Sequence, residues 1–347
     1  MIYLNNIKLN QNKVLKKILM LLLFLSICIS IILSSIYHIS FIDNFSTIFS
    51  SIILESIPFV LISSLTSALI QVFVSEEFIT KIIPKNKLLS FLAASLMGFI
   101  FPVCECAIVP ITKRLIKKGV PVEIAFTFML SVPIVNPIVL LSTYYAFYSK
   151  PSIFILRSIL GIIVPICIGF LISKTINSKN SIIKESYYEY YNLCNCGCSY
   201  NNNNFYINNS KFKTVLEHTI KELFNICKYL ILGAFVSTLF QLTISKQSIL
   251  PIGKNSISSI LIMMILAFIL SICSEADAFI ASTFLNQFTL GSIISFLILG
   301  PMIDIKNALM LFGNFKKTIV IRLIFYIFAL SYIVGILINI FHELGVI

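Results

Sequence analysis

The chain has 347 residues, of which 58% are hydrophobic and only 12% are charged. A soluble domain carries about 25% charged residues, so this composition excludes an ordinary soluble fold, which could not cover its surface with so few charges. The net charge of +12 does not indicate a nucleic-acid partner, because the basic residues lie in short stretches between apolar runs. That distribution is typical of membrane proteins, whose cytoplasmic loops collect Lys and Arg.

Apolar runs long enough to cross or enter a bilayer follow one another along the chain. They cover residues 18–37, 46–74, 88–111, 121–147, 152–173, 221–243, 257–285, 289–305 and 318–341. The first run follows several lysines, but it is longer than the apolar core of a signal peptide and no small-residue cleavage site follows it. We therefore interpret it as a retained helix. The pattern predicts an all-α polytopic membrane protein with about eight or nine hydrophobic segments.

A polar stretch divides these segments into two groups. Residues 174–215 contain the run Asn201–Asn204 and the cysteines Cys194, Cys196 and Cys198. Low hydrophobicity and an Asn-rich tract predict a linker with no core of its own. The predicted organisation is a basic N-terminal segment with the first membrane helix (1–44), a first repeat (45–173), the linker (174–215) and a second repeat (216–347).

Three landmarks recur in both halves at nearly constant spacing. The pairs, at offsets of 170, 169 and 168 residues, are Leu65–Gln71 with Phe235–Gln241, Pro102–Ala107 with Ser271–Ala276, and Ser131–Asn136 with Leu299–Asp304. Internal repeats with interrupted helices are common in secondary transporters. If segment 88–111 enters and returns on one side, all Lys and Arg fall on that side except Lys150, Arg157, Lys228, Lys246 and Lys254. We therefore predict inverted repeats with re-entrant hairpins at 88–111 and 257–285.

Several residues are unexpected inside apolar runs. Paired prolines break or bend helices, and carboxylates inside a membrane are costly and usually functional. The candidate substrate or transport residues are Pro102, Cys104, Glu105 and Cys106; Pro133, Asn136 and Pro137; Cys273, Glu275 and Asp277; Pro301, Asp304 and Asn307; and Glu55, which precedes Pro58.

Each of these features also has a purely structural interpretation. The first cluster fits a proline kink with small core cysteines, and Asn136 fits a side chain that pairs with a freed carbonyl. Asp304 and Lys306 fit an ordinary cytoplasmic helix end, and Glu55 fits a side chain that reaches the outer surface.

The two thiols of Cys104 and Cys106 could bind a soft cation or metalloid. Their spacing lacks the two intervening residues of a thioredoxin-type motif or of most zinc half-sites. The three histidines, His38, His218 and His342, are scattered along the chain. We expect no metal centre, no cofactor and no catalytic residue.

The motifs resemble a known family. The stretches Pro102–Pro110, Lys118–Pro121, Pro133–Pro137, Cys273–Phe279 and Gly300–Asn307 are similar to motifs of the bacterial predicted-permease family that includes the organoarsenical efflux permeases, the ArsP-like permeases. The resemblance covers roughly residues 45–341. Members usually carry a small residue between the two cysteines, where this chain has Glu105. The resemblance implies a multi-pass permease of the bacterial plasma membrane, and export of trivalent organoarsenicals would suit the paired thiols.

Three functions remain open at this point. The first is a secondary transporter, in which Cys104, Cys106 and Cys273 are soft ligands and buried carboxylates handle protons or cation charge. The chain has no Walker-type loop, although an ATPase partner stays open. The second is a membrane thiol oxidoreductase, and the third is an accessory membrane subunit. The expected partners are the lipid bilayer and a small-molecule or metalloid substrate, with no nucleic acid.

Overall fold

The structure is a computed structural model that describes residues 40–73, 84, 86–99, 104–175, 211–243, 256–285 and 287–345. The predicted first helix, Pro102 and most of the predicted linker with its three cysteines lie outside the described residues. The chain divides into two compact units, Met1–Ile52 and Ile53–Ile347. Of the first unit the structure describes residues 40–52, which begin a helix that continues into the second unit. All other described elements belong to the second unit.

The described residues form twelve α-helices and one short 3-10 turn, with no β-strand among them. In chain order the helices are α1 (Ser40–Phe73), α2 (Lys87–Leu96, followed by the 3-10 turn Met97–Phe99), α3 (Glu105–Lys117), α4 (Val122–Val135), α5 (Pro137–Ala146), α6 (Pro151–Thr175), α7 (Lys211–Thr243), α8 (Ser256–Leu270), α9 (Asp277–Thr283), α10 (Leu290–Met302), α11 (Ile305–Asn314) and α12 (Lys317–Glu343). The all-helical prediction is confirmed. A helix satisfies every backbone hydrogen bond within one segment, which lipid demands.

Five helical stretches in the described part are long and apolar enough to cross a membrane: Asp43–Leu69, Pro151–Thr175, Glu222–Leu242, Leu290–Asn314 and Lys317–Glu343. The pair α4 and α5, bent by 40°, makes a sixth if it counts as one span. These six coincide with predicted segments, and two further predicted segments are the helix pairs α2–α3 and α8–α9. Large apolar side chains such as Leu54, Ile155 and Phe325 are exposed on the spans, as a lipid-facing surface requires.

The elements α1–α6 recur in the same order as α7–α12. Each set has a long helix, a hairpin of two short helices, an interrupted pair and a second long helix. The first helices have 34 and 33 residues, and the last have 25 and 27. A close contact recurs as well: a Cβ atom at Gly169 would lie 2.0 Å from Thr127 Oγ1, and one at Gly335 would lie 2.3 Å from Ser295 Oγ. The repeat is therefore present in the packing.

The two sets run in opposite directions. Arg322, near the start of α12, donates a hydrogen bond to the carbonyl of Thr175 at the end of α6 (3.4 Å), so these equivalent long helices are antiparallel. Within each half the long helix is also antiparallel to the first helix of the interrupted pair. In the first half Gly169 meets Thr127 whereas the earlier Gly161 meets the later Ile134. In the second half Gly335 meets Ser295 whereas the later Asn339 bonds the earlier Gly291. This arrangement agrees with the predicted inversion of the two halves.

The two ends of the bundle differ in charge. At one end Arg114 pairs with Glu222 and Lys113 Nζ lies 3.3 Å from Asn314 Oδ1; we call this basic end the inner end. At the opposite end, the outer end, a cavity of about 220 Å³ is lined by Lys150, Leu285, Phe288, Thr289, Leu290, Ile293, Asn339, His342 and Glu343. The basic residues predict that the inner end faces the cytoplasm.

Each hairpin enters the helix bundle and leaves it again at the same end of the bundle. Phe91 of α2 lies beside Gly169 near the inner end of α6, and α3 returns to the inner end at Arg114. In the second half, Ser259 of α8 bonds Ser292 at the start of α10 (2.7 Å), and the loop after α9 reaches the outer cavity through Leu285 and Phe288. The prediction of two re-entrant hairpins therefore agrees with the geometry.

Candidate functional site

Four helices begin in the interior, where the hairpins turn and the paired helices are interrupted: α3, α5, α9 and α11. Pro137 opens α5, where its missing N–H is no loss. Asn136 Oδ1 accepts a hydrogen bond from the Ile138 amide (3.0 Å), and Asp304 Oδ1 accepts one from the Asn307 amide (2.6 Å). The equivalent residues Asn136 and Asp304 thus cap equivalent helices. The purely structural interpretation expected the Asn136 side chain to pair with a freed carbonyl. In the structure it accepts a hydrogen bond from a backbone N–H instead.

The turn of the second hairpin is held from α7. Ser271 adopts the left-handed region with a φ of 48°, which is uncommon for a residue other than glycine. The carbonyls freed at the end of α8 accept hydrogen bonds from two side chains of α7: Ser237 Oγ to Ile269 (2.8 Å) and Gln241 Nε2 to Leu270 (2.8 Å). Both donors belong to the repeated landmark Phe235–Gln241, so that landmark supports a helix break inside the bundle.

A buried lysine lies between two carboxylates from different halves. Lys306 Nζ in α11 is 3.5 Å from Asp304 Oδ2 and 3.9 Å from Glu105 Oε1 of α3. The exposed fractions of Glu105, Asp304 and Lys306 are 1%, 1% and 3%. The alternative interpretation of Asp304 and Lys306 as an exposed cytoplasmic helix end is therefore wrong. The packing of α11 on the first hairpin carries this pair into the interior.

Many acceptor oxygens around this lysine receive no hydrogen bond. They are both Glu105 carboxylate oxygens, Asp304 Oδ2, Asn307 Oδ1, Glu275 Oε2 and Ser274 Oγ. A buried polar atom without a hydrogen bond costs about 1–3 kcal/mol, and more if it is charged. Proteins keep such a costly arrangement in the membrane chiefly where ions, protons or solutes bind. The cluster therefore contains several buried acceptors that a cation, a proton or a solute could satisfy.

Three thiols lie in the same region, and all three are buried. Cys104 directly precedes α3 and Cys106 lies in its first turn, close enough for the two thiols to interact. Cys273 of the second hairpin is close enough to Glu105, Cys106 and Lys306 to interact with them electrostatically. Among the described residues, no three His, Cys, Asp or Glu side chains are arranged to hold a metal ion. The thiols thus offer a pair of soft ligands from one hairpin, with the third cysteine nearby on the other.

A second buried ion pair joins the halves nearer the outer end. Arg157 of α6 donates through Nη1 to Asp277 Oδ1 (2.9 Å) and through Nη2 to Asp277 Oδ2 (2.6 Å). Its Nη1 also donates to Thr143 Oγ1 of α5 (2.8 Å). Arg157 is 0% exposed. The sequence analysis named Asp277 as a candidate site residue, but it counted Arg157 only among the basic residues used to infer orientation. An arginine inside an apolar run is itself a signal of a functional position.

The remaining predicted residues have different surroundings. Glu55 is exposed on α1, so it is not part of the buried cluster. Pro133 and Pro301 lie inside α4 and α10 rather than at the breaks, which follow at Asn136 and at residues 303–304. Pro102 lies outside the described residues.

Sequence reasoning also missed a glycine that positions Lys306. A Cβ atom at Gly233 of α7 would lie 2.7 Å from Lys306 Cα, far inside van der Waals contact. The absence of a side chain at this position lets α7 pack directly on the backbone that presents the lysine.

Comparison with known proteins agrees with the fold. The family ArsP_1, described as predicted permease, matches residues 41–340. The UPF0718 protein YcgR of Bacillus subtilis is 45% identical over 282 residues, which are 81% of this chain and 92% of that protein. A Streptococcus mutans protein named "Putative two-component membrane permease complex subunit" is 39% identical over 277 residues, 80% of this chain and 89% of that protein.

A more distant relative covers a smaller part of the chain. The UPF0718 protein MJ0584 of Methanocaldococcus jannaschii is 33% identical over 98 residues, 28% of this chain and 26% of that protein. No solved structure matches the chain. The family match spans most of the chain, including both hairpins and both interrupted pairs. The chain is a multi-pass membrane protein that belongs to the ArsP_1 family of predicted permeases.

Proposed function

We propose that the chain is a secondary efflux permease for a small, thiophilic solute, which binds where the two hairpins meet. The observation that carries this proposal is the buried thiol pair of Cys104 and Cys106, next to Glu105 and the Lys306 ammonium. This site lies between two inverted halves, and inverted-repeat transporters bind their substrates at such a junction. The buried carboxylates are the candidates for handling the coupling proton or cation.

The chemistry of the site suits a trivalent organoarsenical. A compound with one organic group and two hydroxyls on arsenic condenses with two thiols, forming two As–S bonds and releasing two water molecules. Cys104 and Cys106 supply two neighbouring thiols, and soft sulfur ligands select soft acceptors. Glu105 between the thiols distinguishes this chain from the usual family pattern, so the preferred substituent on arsenic is expected to differ from that of relatives with a small residue there.

A resistance assay tests the function. We expect expression of the chain in a bacterium sensitised to arsenicals to raise the tolerated concentration of phenylarsine oxide and to lower its cellular accumulation. Cys104→Ser should abolish this protection, because one As–S bond is lost, and Glu275→Gln should reduce it strongly. Cys167→Ser is the matched control, because Cys167 is exposed on α6 and lies away from the thiol pair. Protection that survives Cys104→Ser would refute the site.

A second candidate function is a subunit of a two-component permease, which the name of the Streptococcus mutans relative favours. In that case the chain expressed alone would give no protection, and protection would appear when its membrane partner is supplied. Co-purification of a tagged chain from its native membrane, followed by identification of a stoichiometric second protein, tests this candidate.

A third possibility, a membrane thiol oxidoreductase, requires Cys104 and Cys106 to cycle through a disulfide. Thiol trapping in growing cells measures their oxidation state. Two cysteines that stay reduced throughout would remove this possibility.

A further inference from the structure

We propose that the buried pair of Arg157 and Asp277 is the outer gate of the permease, which closes the route between the central thiols and the outer end. The proposal rests on the permease function, but it does not depend on which solute is carried. Its basis is the position, the connectivity and the geometry of this pair.

The position of the pair is between the thiols and the outer end. Arg157 is six residues from the start of α6 at Pro151, about 9 Å along the helix, and the preceding Lys150 lines the outer cavity. Lys306 lies eight residues before the end of α11 at Asn314, about 12 Å from the inner end. The thiols are grouped with Glu105 and Lys306, and the pair of Arg157 and Asp277 lies on their outer side.

Both pairs connect the two halves of the protein. Arg157 of the first half binds the hairpin of the second half through Asp277, and Lys306 of the second half pairs with the hairpin of the first half through Glu105. Glu105 and Asp277 each open the return helix of their hairpin. Movement of either hairpin against the opposite half must therefore separate one of these pairs, which is the relative motion that inverted-repeat transporters use for alternating access.

The two ion pairs differ in the number and the length of the contacts between their charged groups. Arg157 makes two parallel hydrogen bonds to Asp277 and a third to Thr143, the strongest geometry available to a guanidinium and a carboxylate. Lys306 is 3.5 and 3.9 Å from its carboxylates, and neither Glu105 oxygen accepts a hydrogen bond. In this structure the outer pair is the firmly closed one.

Thiol accessibility tests the gate without knowledge of the solute. The full chain is used with Cys28, Cys167, Cys194, Cys196, Cys198 and Cys227 replaced by Ser, so that Cys104, Cys106 and Cys273 are the remaining targets. A charged, membrane-impermeant methanethiosulfonate reagent is applied to right-side-out and to inside-out membrane vesicles, and the rate of labelling is measured from each face.

Asp277→Asn should raise the labelling rate from the outer face by about tenfold or more, because loss of a charge-assisted pair shifts the closed–open equilibrium by at least that factor. The rate from the inner face should stay the same. Glu343→Gln is the control: Glu343 is an exposed carboxylate at the outer cavity, so its neutralisation changes the local charge without touching the pair and should leave both rates unchanged.

Thr143→Val is the gentler second variant, since it removes one hydrogen bond to Arg157 and leaves both charges in place. It should raise the outer rate by a smaller factor, about two- to fivefold. An unchanged outer rate in both variants, or an equal rise from both faces, would overturn the gate, because a general loosening of the fold exposes the thiols to both sides. Since the readout is labelling, failure of arsenical resistance alone would leave the gate result intact.

Discussion

The ammonium of Lys306 lies among several acidic side chains. Glu105 and Asp304 lie within 4 Å of its ammonium, and Glu275 interacts electrostatically with Glu105. Removal of one member of a buried charged group is costly because the remaining charges lose their partner. The lysine is therefore expected to be required for stability.

We predict that Lys306→Met lowers the free energy of unfolding by about 3–5 kcal/mol, because it leaves two buried carboxylates without a cation. Thermal unfolding of the detergent-purified protein measures the change. Adding Glu105→Gln to this variant should recover part of the loss, since one of the unpaired charges is then absent, and the two substitutions should be non-additive by roughly 1 kcal/mol or more. A Lys306→Met protein as stable as the wild type would contradict the assigned pairing.

Helix breaks in this protein depend on prolines, caps and a supporting helix together. The doubled prolines correctly indicated interrupted segments, but Pro133 and Pro301 lie inside helices and the breaks come a few residues later. A proline removes the hydrogen bond that its own N–H would donate to a carbonyl four residues earlier, which weakens the turn that precedes the proline without ending the helix at the ring. The position of the break is then set by the capping residues Asn136 and Asp304.

The approach of α7 to α11 requires a glycine at position 233. We predict that Gly233→Ala destabilises the protein by about 1–3 kcal/mol, because the new methyl group would meet the backbone of Lys306 at 2.7 Å. Gly300→Ala is the matched control, since its Cβ would meet only Ala267 Cβ at 3.8 Å and alanine is the better helix former. Thermal unfolding of both variants measures the difference, and equal stability of the two would argue against the close approach.

The bundle as a complete structure is organised by its inverted halves. Arg322 against Thr175 and Arg114 against Glu222 bring the ends of α3, α6 and α12 together with the first half of α7 at the inner end. That clustering is the structural counterpart of the charge asymmetry in the sequence. Both the charge distribution and the packing therefore indicate the same orientation in the membrane.

Cysteine labelling of intact cells checks this orientation. Lys117→Cys, at the end of α3, should react with an impermeant maleimide only after the membrane is permeabilised. Ser149→Cys, in the exposed turn before α6, should react in intact cells. The two substitutions serve as controls for each other. Labelling of position 117 from outside would mean that the first hairpin crosses the membrane instead of returning.

The sequence by itself determined the class of the protein and its helical segments, because the length of an apolar run is a local property of a chain. The prolines likewise indicated that four segments are interrupted, and the recurring landmarks and the charge bias indicated the repeat. Its resemblance to a permease family was likewise readable from short motifs. The roles of Ser237 and Gln241 as hydrogen-bond donors to the hairpin were present in a landmark, but their acceptors could only be found in three dimensions.

The tertiary structure alone decided which charges meet. Arg157 and Asp277 are 120 residues apart in the chain, Lys306 is carried into the interior rather than left at a helix end, and Glu55 is exposed outside the cluster. Pairing over such separations depends on how the two inverted halves pack against each other, and no local pattern of residues encodes that packing. The same packing brings Glu105 and Lys306, from opposite halves, beside the thiols.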